Sequence, residues 1–287
     1  MALLFSGANY LNLGYAPDFA IGDSFTFALW VYRLASASSA SILAAQADNT
    51  PPEAGDSYIY IRASTTAPYN DVQVSISDVN AKITTVTGAA GSLPLNEWHH
   101  IGLVRDVAGD RLRLYVDGAQ SGLGSTDAST GSITLTGYPL FLGARNLRGA
   151  SVDRYGNCIC DDLCAWNVAL TATELLQLAQ SRRRLAPIIQ SASLKRWWPL
   201  QAVNGAAAIG ASSVQDYSAN LGHGTPVDSP VYALSTLSWP AKTHYVYAES
   251  VITEMWRRTV EPAGAFARSA EPGSTWSRHV EPTVAWT

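Results

Sequence analysis

Phe25-Thr26-Phe27-Ala28-Leu29-Trp30-Val31-Tyr32 is a run in which Phe25, Phe27, Leu29 and Val31 alternate with Thr26, Ala28, Trp30 and Tyr32. Side chains of a strand point alternately to its two faces, so this run offers apolar groups to both, as a strand covered on both sides must. It predicts a central strand. Working outward, runs of strand character recur at Tyr58 to Arg62, Val72 to Ile76, Ile83 to Val86, His100 to Arg105, Leu112 to Asp117, Ile133 to Leu135, Leu140 to Leu142 and Cys158 to Trp166. Val107-Ala108-Gly109-Asp110 joins two of them and Asp117-Gly118 closes the second, the sequence form of a hairpin followed by a sharp turn. Many short strands at this spacing predict an all-β sandwich or barrel. Phe27, Leu29, Val31, Leu103, Leu114, Val116 and Leu142 are its expected core.

Composition agrees. Of 287 residues, 47% are apolar and 15% charged, with 22 Gly, 9 Trp and 13 Tyr, a profile of strands and turns rather than of a helical bundle. A formal charge of -4 gives no electrostatic reason to bind nucleic acid or an anionic membrane, and neither is expected as a partner. The first residues, MALLFSGANYLNLG, lack the basic and apolar regions of a signal peptide, and no apolar run reaches the ~18 residues a membrane span needs. Cys158, Cys160 and Cys164 fall in one predicted strand, which would put them on a common face as small buried thiols rather than zinc ligands.

One helix interrupts the strands. Thr171 is suited to N-cap it, Glu174 is the reciprocal capping-box partner, and Leu175, Leu176 and Leu178 supply an apolar face. Arg182, Arg183 and Arg184 follow at its C-terminal end, where positive charge complements the helix dipole.

FSGANY at residues 5–10, FTFALWVY, EWHHIGLVRD, GDRLRLYVDG, YPLFLGAR and CDDLCAWNVALTATEL follow one another in an order that resembles the laminin-G-like, pentraxin-related branch of the concanavalin-A-like superfamily. The resemblance covers residues 1–180 and implies a jelly-roll sandwich of two antiparallel sheets in which Trp98 and His99 or His100 open a strand, and Leu114, Val116, Asp117 and Gly118 end the next at a tight turn. A later stretch, WWPLQAVNG with VQDYSANLGHGT, is similar to the opening of such a domain. Too little chain follows it for a second sandwich, so residues 181–250 are expected to add a strand and a linker segment packing on the first.

Residues 251–287 carry a ten-residue repeat. Trp256, Phe266, Trp276 and Trp286 recur at that step, Arg258, Arg268 and Arg278 follow two positions later, and Glu-Pro pairs at 261–262, 271–272 and 281–282 complete each unit. An even period puts the aromatics on one face of an extended chain, and each Pro forbids a helix. The stretch has too few apolar residues for a core of its own, so it is expected to be an extended assembly arm packing against copies of the chain, as a trimer, or against a particle. Its composition resembles C-terminal segments of bacteriophage structural proteins.

No cluster of carboxylates spaced for glycoside hydrolysis, no HExxH and no GxSxG occurs, and Asp161 and Asp162, being adjacent, are expected on opposite faces of their strand. Catalysis is therefore not expected. Asp216, Ser218 and Asn220 alternate before Gly222, an oxygen-bearing pattern that fits either a calcium loop or a hydrogen-bonded Asx turn, and calcium is the cofactor expected if one is bound. The leading expectation is a non-enzymatic bacteriophage virion structural protein that decorates a capsid or tail, made in the host cytoplasm and partnered by other virion proteins. The alternative is a carbohydrate-binding adhesin that recognises host surface glycans.

Overall fold

The computed structural model describes residues 2–35, 40–46, 57–64, 67–147, 151–181, 188–200, 214–220 and 222–233. Phe25–Arg33 lies at the middle of the first sheet, with all nine residues buried, because apolar groups occupy both of its faces. It pairs with Trp98–Asp106 on one side and Cys158–Trp166 on the other. Arg111–Val116 and Ala119–Gln120 extend the sheet beyond the first of these, and Ala2–Phe5 and Val231–Ala233 beyond the second. The second sheet runs in the order Thr225–Val227, Tyr10–Asn12, Phe141–Leu142, Ser41–Gln46, Tyr58–Ala63, Val72–Ser77 and Ile83–Thr87. These ladders are antiparallel, and Arg145–Leu147 adds a short parallel pairing to Ser41–Gln46. The architecture is the all-β, two-sheet jelly-roll sandwich that the family resemblance implies.

Between the sheets Phe27, Leu29, Val31, Leu103, Leu114 and Leu142 join one continuous core, with Val116 partly buried at its margin. Each such fully buried side chain contributes about 1.5–3 kcal/mol. The outer face of the first sheet carries a second cluster, in which Ala28, Val104, Tyr115, Cys164 and Trp166 meet Leu175 and Leu178 of the helix Ala172–Gln180. That helix has the expected capping box: the Thr171 side chain accepts from the Glu174 amide, and the Thr171 amide donates to the Glu174 carboxylate. Gly102 makes room for it, since a Cβ there would lie 2.9 Å from Leu175 Cδ2. The turn after Arg111–Val116 also needs its glycine, because Gly118 has φ +81° and a Cβ would lie 2.6 Å from the Leu176 Cα. Arg182, Arg183 and Arg184 lie outside the described residues.

The strand Cys158–Trp166 departs from simple alternation. Asp162 has φ +53° and the register to Phe25–Arg33 shifts between Asp161 and Cys164, a bulge that inserts one extra residue. Cys158 and Cys160 therefore face the inter-sheet core with Leu163 and Ala165, whereas Cys164 falls on the outer face with Trp166. The three thiols do not share a face, and Asp161 and Asp162 do not point oppositely. Asp161 lies opposite Trp30, on the outer side, and Asp162 accepts a hydrogen bond at 2.7 Å from Nε1 of Trp197, which packs against the outer cluster. The bulge also divides one edge of the strand: Ala2–Phe5 pairs before it and Leu194–Trp198 after it. Chain beyond the helix thus supplies strands to both sheets, Leu194–Trp198 and Val231–Ala233 to the first and Thr225–Val227 to the second.

Candidate functional site

The outer face of the second sheet is built differently from that of the first. Along Tyr58–Ala63, Ile59 and Ile61 enter the core, so Tyr58, Tyr60 and Arg62 line up on the outside. Their rings and guanidinium stack in sequence, with Tyr58 and Tyr60 centroids 4.8 Å apart at 11° and Arg62 Cζ 4.4 Å from the Tyr60 centroid. Across the next strand, Arg62 donates from Nε and one terminal nitrogen to Gln73 Oε1 at 2.9 and 2.6 Å, and Gln73 Nε2 donates to Thr87 Oγ1. Ser75 meets Tyr58, Thr85 and the Thr84 carbonyl. Polar and aromatic groups here interlock, which fixes their orientation in advance of any ligand.

On the other side of Ser41–Gln46 the same face continues through Phe141, opposite Ala44, and Tyr10, whose ring stacks on Phe141 at 4.6 Å. The hairpin Arg145–Leu147 and Ser151–Asp153 borders it, held by Arg145 donating to both oxygens of Asp153. The next residue, Arg154, is tied to the sheet through its carbonyl, which accepts from the Ser41 amide at 2.8 Å, and Ser41 is the register partner of Arg62. Arg62, Arg145 and Arg154 therefore gather around one patch with Tyr60, Tyr10 and Tyr155. Burial lowers the proton affinity of Arg154, and the positive charges of Arg145 and Arg62 lower it further against the opposing pull of Asp153 and Tyr60. Burial raises the Tyr58 hydroxyl well above its usual range, with the neighbouring Tyr60 adding to the effect.

The expected site residues lie elsewhere. The repeat residues Trp256, Arg258, Phe266, Arg268, Trp276, Arg278 and Trp286 are outside the described residues. Asp216, Ser218 and Asn220 are brought together beside Leu194–Trp198. There the Asp216 carboxylate accepts from the amides of Trp197, Ser218 and Gly222 and from the Ser218 hydroxyl at 2.7–2.9 Å, while Asn220 turns its amide nitrogen to the Lys195 carbonyl. Donors converging on a carboxylate suit an Asx turn that ties a loop to the strand and do not fit calcium, which needs converging oxygens. Among the described residues no group of three His, Cys, Asp or Glu side chains is placed to hold a metal.

Sequence reasoning passed over the arginine patch. Its one signal in the residues is the Tyr-x-Tyr-x-Arg alternation of residues 58–62; Arg145 and Arg154 belong to a hairpin with no periodic signature.

A laminin-G-type family model, described as the Concanavalin A-like lectin/glucanases superfamily, matches residues 5–176. No curated protein matches the chain. Among solved structures, a candidate carbohydrate binding protein from Bacteroides ovatus superposes with a TM-score of 0.50 at 18% identity, over 80% of this chain and 60% of that one. The heptameric SAP-like pentraxin of Limulus polyphemus gives 0.47 at 16% identity, over 63% of this chain and 82% of its own. The sialidase CBM40 of Ruminococcus gnavus, bound to a sialyllactose, gives 0.41 at 11% identity, over 57% and 92%. At these identities the likeness is one of fold.

Proposed function

The chain belongs to the concanavalin A-like lectin/glucanases superfamily, and from that premise we propose that it is a carbohydrate-binding protein whose ligand rests on the outer face of the second sheet. The observation that carries this reading is the partly exposed, interlocked patch of Tyr60, Arg62, Gln73, Arg154, Tyr155 and Tyr10. Sugars present weakly polar C–H faces and a rim of hydroxyls. Aromatic groups take the first, here by ring edge at Tyr60, whose faces Tyr58 and Arg62 cover, and guanidinium and amide groups in fixed orientation take the second. The fold's use by carbohydrate-binding neighbours supports the reading at the level of class.

The same proposal is of binding without turnover. Asp161 is buried and the Asp162 carboxylate is engaged by the Trp197 indole, so neither is arranged as an acid or base facing an open site.

A second reading, a virion structural protein of capsid or tail, is favoured by one observation, the ten-residue repeat of residues 251–287. A sandwich that binds glycans would be the adhesin of such a particle.

The test is a glycan array probed with the purified protein, followed by titration calorimetry on the best ligand with Tyr60→Ala. Binding should weaken roughly tenfold, the worth of one aromatic contact. A native melting curve with unchanged affinity would remove the site from this face, and silence across the array would remove the function.

A further inference from the structure

We infer that the sugar recognised on this face bears a carboxylate. The inference rests on the carbohydrate-binding reading and names its substrate class. Charge on the patch does not balance among the described residues: Arg62, Arg145 and Arg154 outnumber its carboxylates, Asp153 and, beside Tyr10, Asp228. Both oxygens of Asp153 are taken by Arg145, so the other two guanidinium groups are left with neutral partners or none, Arg62 on Gln73 and the Tyr60 ring. Burial first, and the like charges of Arg145 and Arg62 after it, disfavour the charged form of Arg154 at this position. A protein whose formal charge is -4 holds them there at a cost that an incoming anion removes.

The shape of the anion follows from the donors. A guanidinium presents parallel N–H groups matched to the two coplanar oxygens of a carboxylate, and Arg145 with Asp153 shows that pairing within the patch itself. Arg154, anchored through its backbone to the strand next to Arg62, is the fork that no side chain pairs among the described residues. Arg62 is held flat on Tyr60 and donates to Gln73, which leaves it to contribute charge beside the ligand while the edges of Tyr60 and Tyr155 meet the sugar ring. Uronic acids and sialic acids both carry the required group, and the experiment separates them.

Calorimetry with oligogalacturonate, with its methyl ester, with sialyllactose and with lactose provides the arms. At least one carboxylated sugar should bind about tenfold or more tighter than its neutral counterpart, the contribution of a charge-assisted hydrogen bond. That preference should shrink as salt is raised. Arg154→Ala should abolish that preference at an unchanged melting temperature, and Arg154→Lys should restore it in part. Equal affinity for charged and neutral sugars, both weakened by Tyr60→Ala, would overturn the carboxylate assignment and leave the carbohydrate reading standing. Binding of none of the four would count against both.

Discussion

Arg105 and Asp127 form an ion pair inside the sandwich, with Nε donating to Oδ2 at 2.7 Å and side chains 1% and 6% exposed. The two terminal nitrogens donate to the carbonyls of Ala20, Ile21 and Asp23, so one side chain fastens two loops to the end of the central strands. Arg33 performs a similar service eight residues along from Phe25, the register partner of Arg105. There its guanidinium donates to the carbonyls of Tyr69, Leu93 and Ala35. A sandwich leaves the two ends of its core open between the sheets, and here buried arginines occupy both.

Asp127→Ala should destabilise the protein by about 3–5 kcal/mol, because it strands a buried charge. Urea denaturation measures it. The pair also sets a pH dependence. Burial alone would raise the Asp127 carboxyl, but hydrogen bonds from Ser129 and Arg105 outweigh burial and hold it below its ordinary value. A lowered folded value means that the stability is complete above the unfolded carboxylate value of about 3.9 and is lost as pH falls through the folded one. Acidification below about pH 4 should therefore cost the wild type more than it costs Asp127→Asn, and parallel stability curves for the two would refute this account.

Asp216→Ala removes the acceptor of three backbone amides and a hydroxyl at once. Expected destabilisation is about 3 kcal/mol, measured by thermal or urea melting, from donors left without partners. Since the carboxylate is occupied by those donors, a chelator should leave the wild-type melting temperature unchanged. A clear drop on chelation would show a cation that this hydrogen-bond network does not account for.

Deletion of residues 251–287 should leave the sandwich folded and soluble and abolish self-association. The aromatics at 256, 266, 276 and 286 can be buried against a partner at about 1.5–3 kcal/mol each, and the stretch has no core of its own to take them. Light scattering on the full and shortened chains decides it, and identical masses would end the assembly-arm proposal.

The central strand, the hairpin around Gly109, the tight turn at Asp117-Gly118 and the capped helix could all be read from the residues because each is a local pattern with a local cause. The bulge at Asp162 could not: nothing in Cys-Ile-Cys-Asp-Asp-Leu-Cys announces a positive φ, so both the common face of the thiols and the opposed carboxylates were misjudged. Ser41–Gln46 passed unnoticed too, its Ser-Ile-Leu-Ala-Ala-Gln having neither clear alternation nor β-branched weight apart from Ile42. The arginine patch draws on three segments, so its charge becomes visible only when the sheet brings Ser41 between Arg62 and Arg154.

Ala2 is the register partner of Ala233, and Tyr10 of Val227, so the first strand of each sheet is flanked by chain that arrives more than two hundred residues later. Anyone producing this protein should take the lesson literally. A fragment cut after the helix would keep the whole matched stretch of sequence yet bare the edges of Ala2–Phe5, Tyr10–Asn12 and the second half of Cys158–Trp166, and bare edges find one another. Such a fragment should precipitate or pair with itself on expression, where one carried through Ala233 should not.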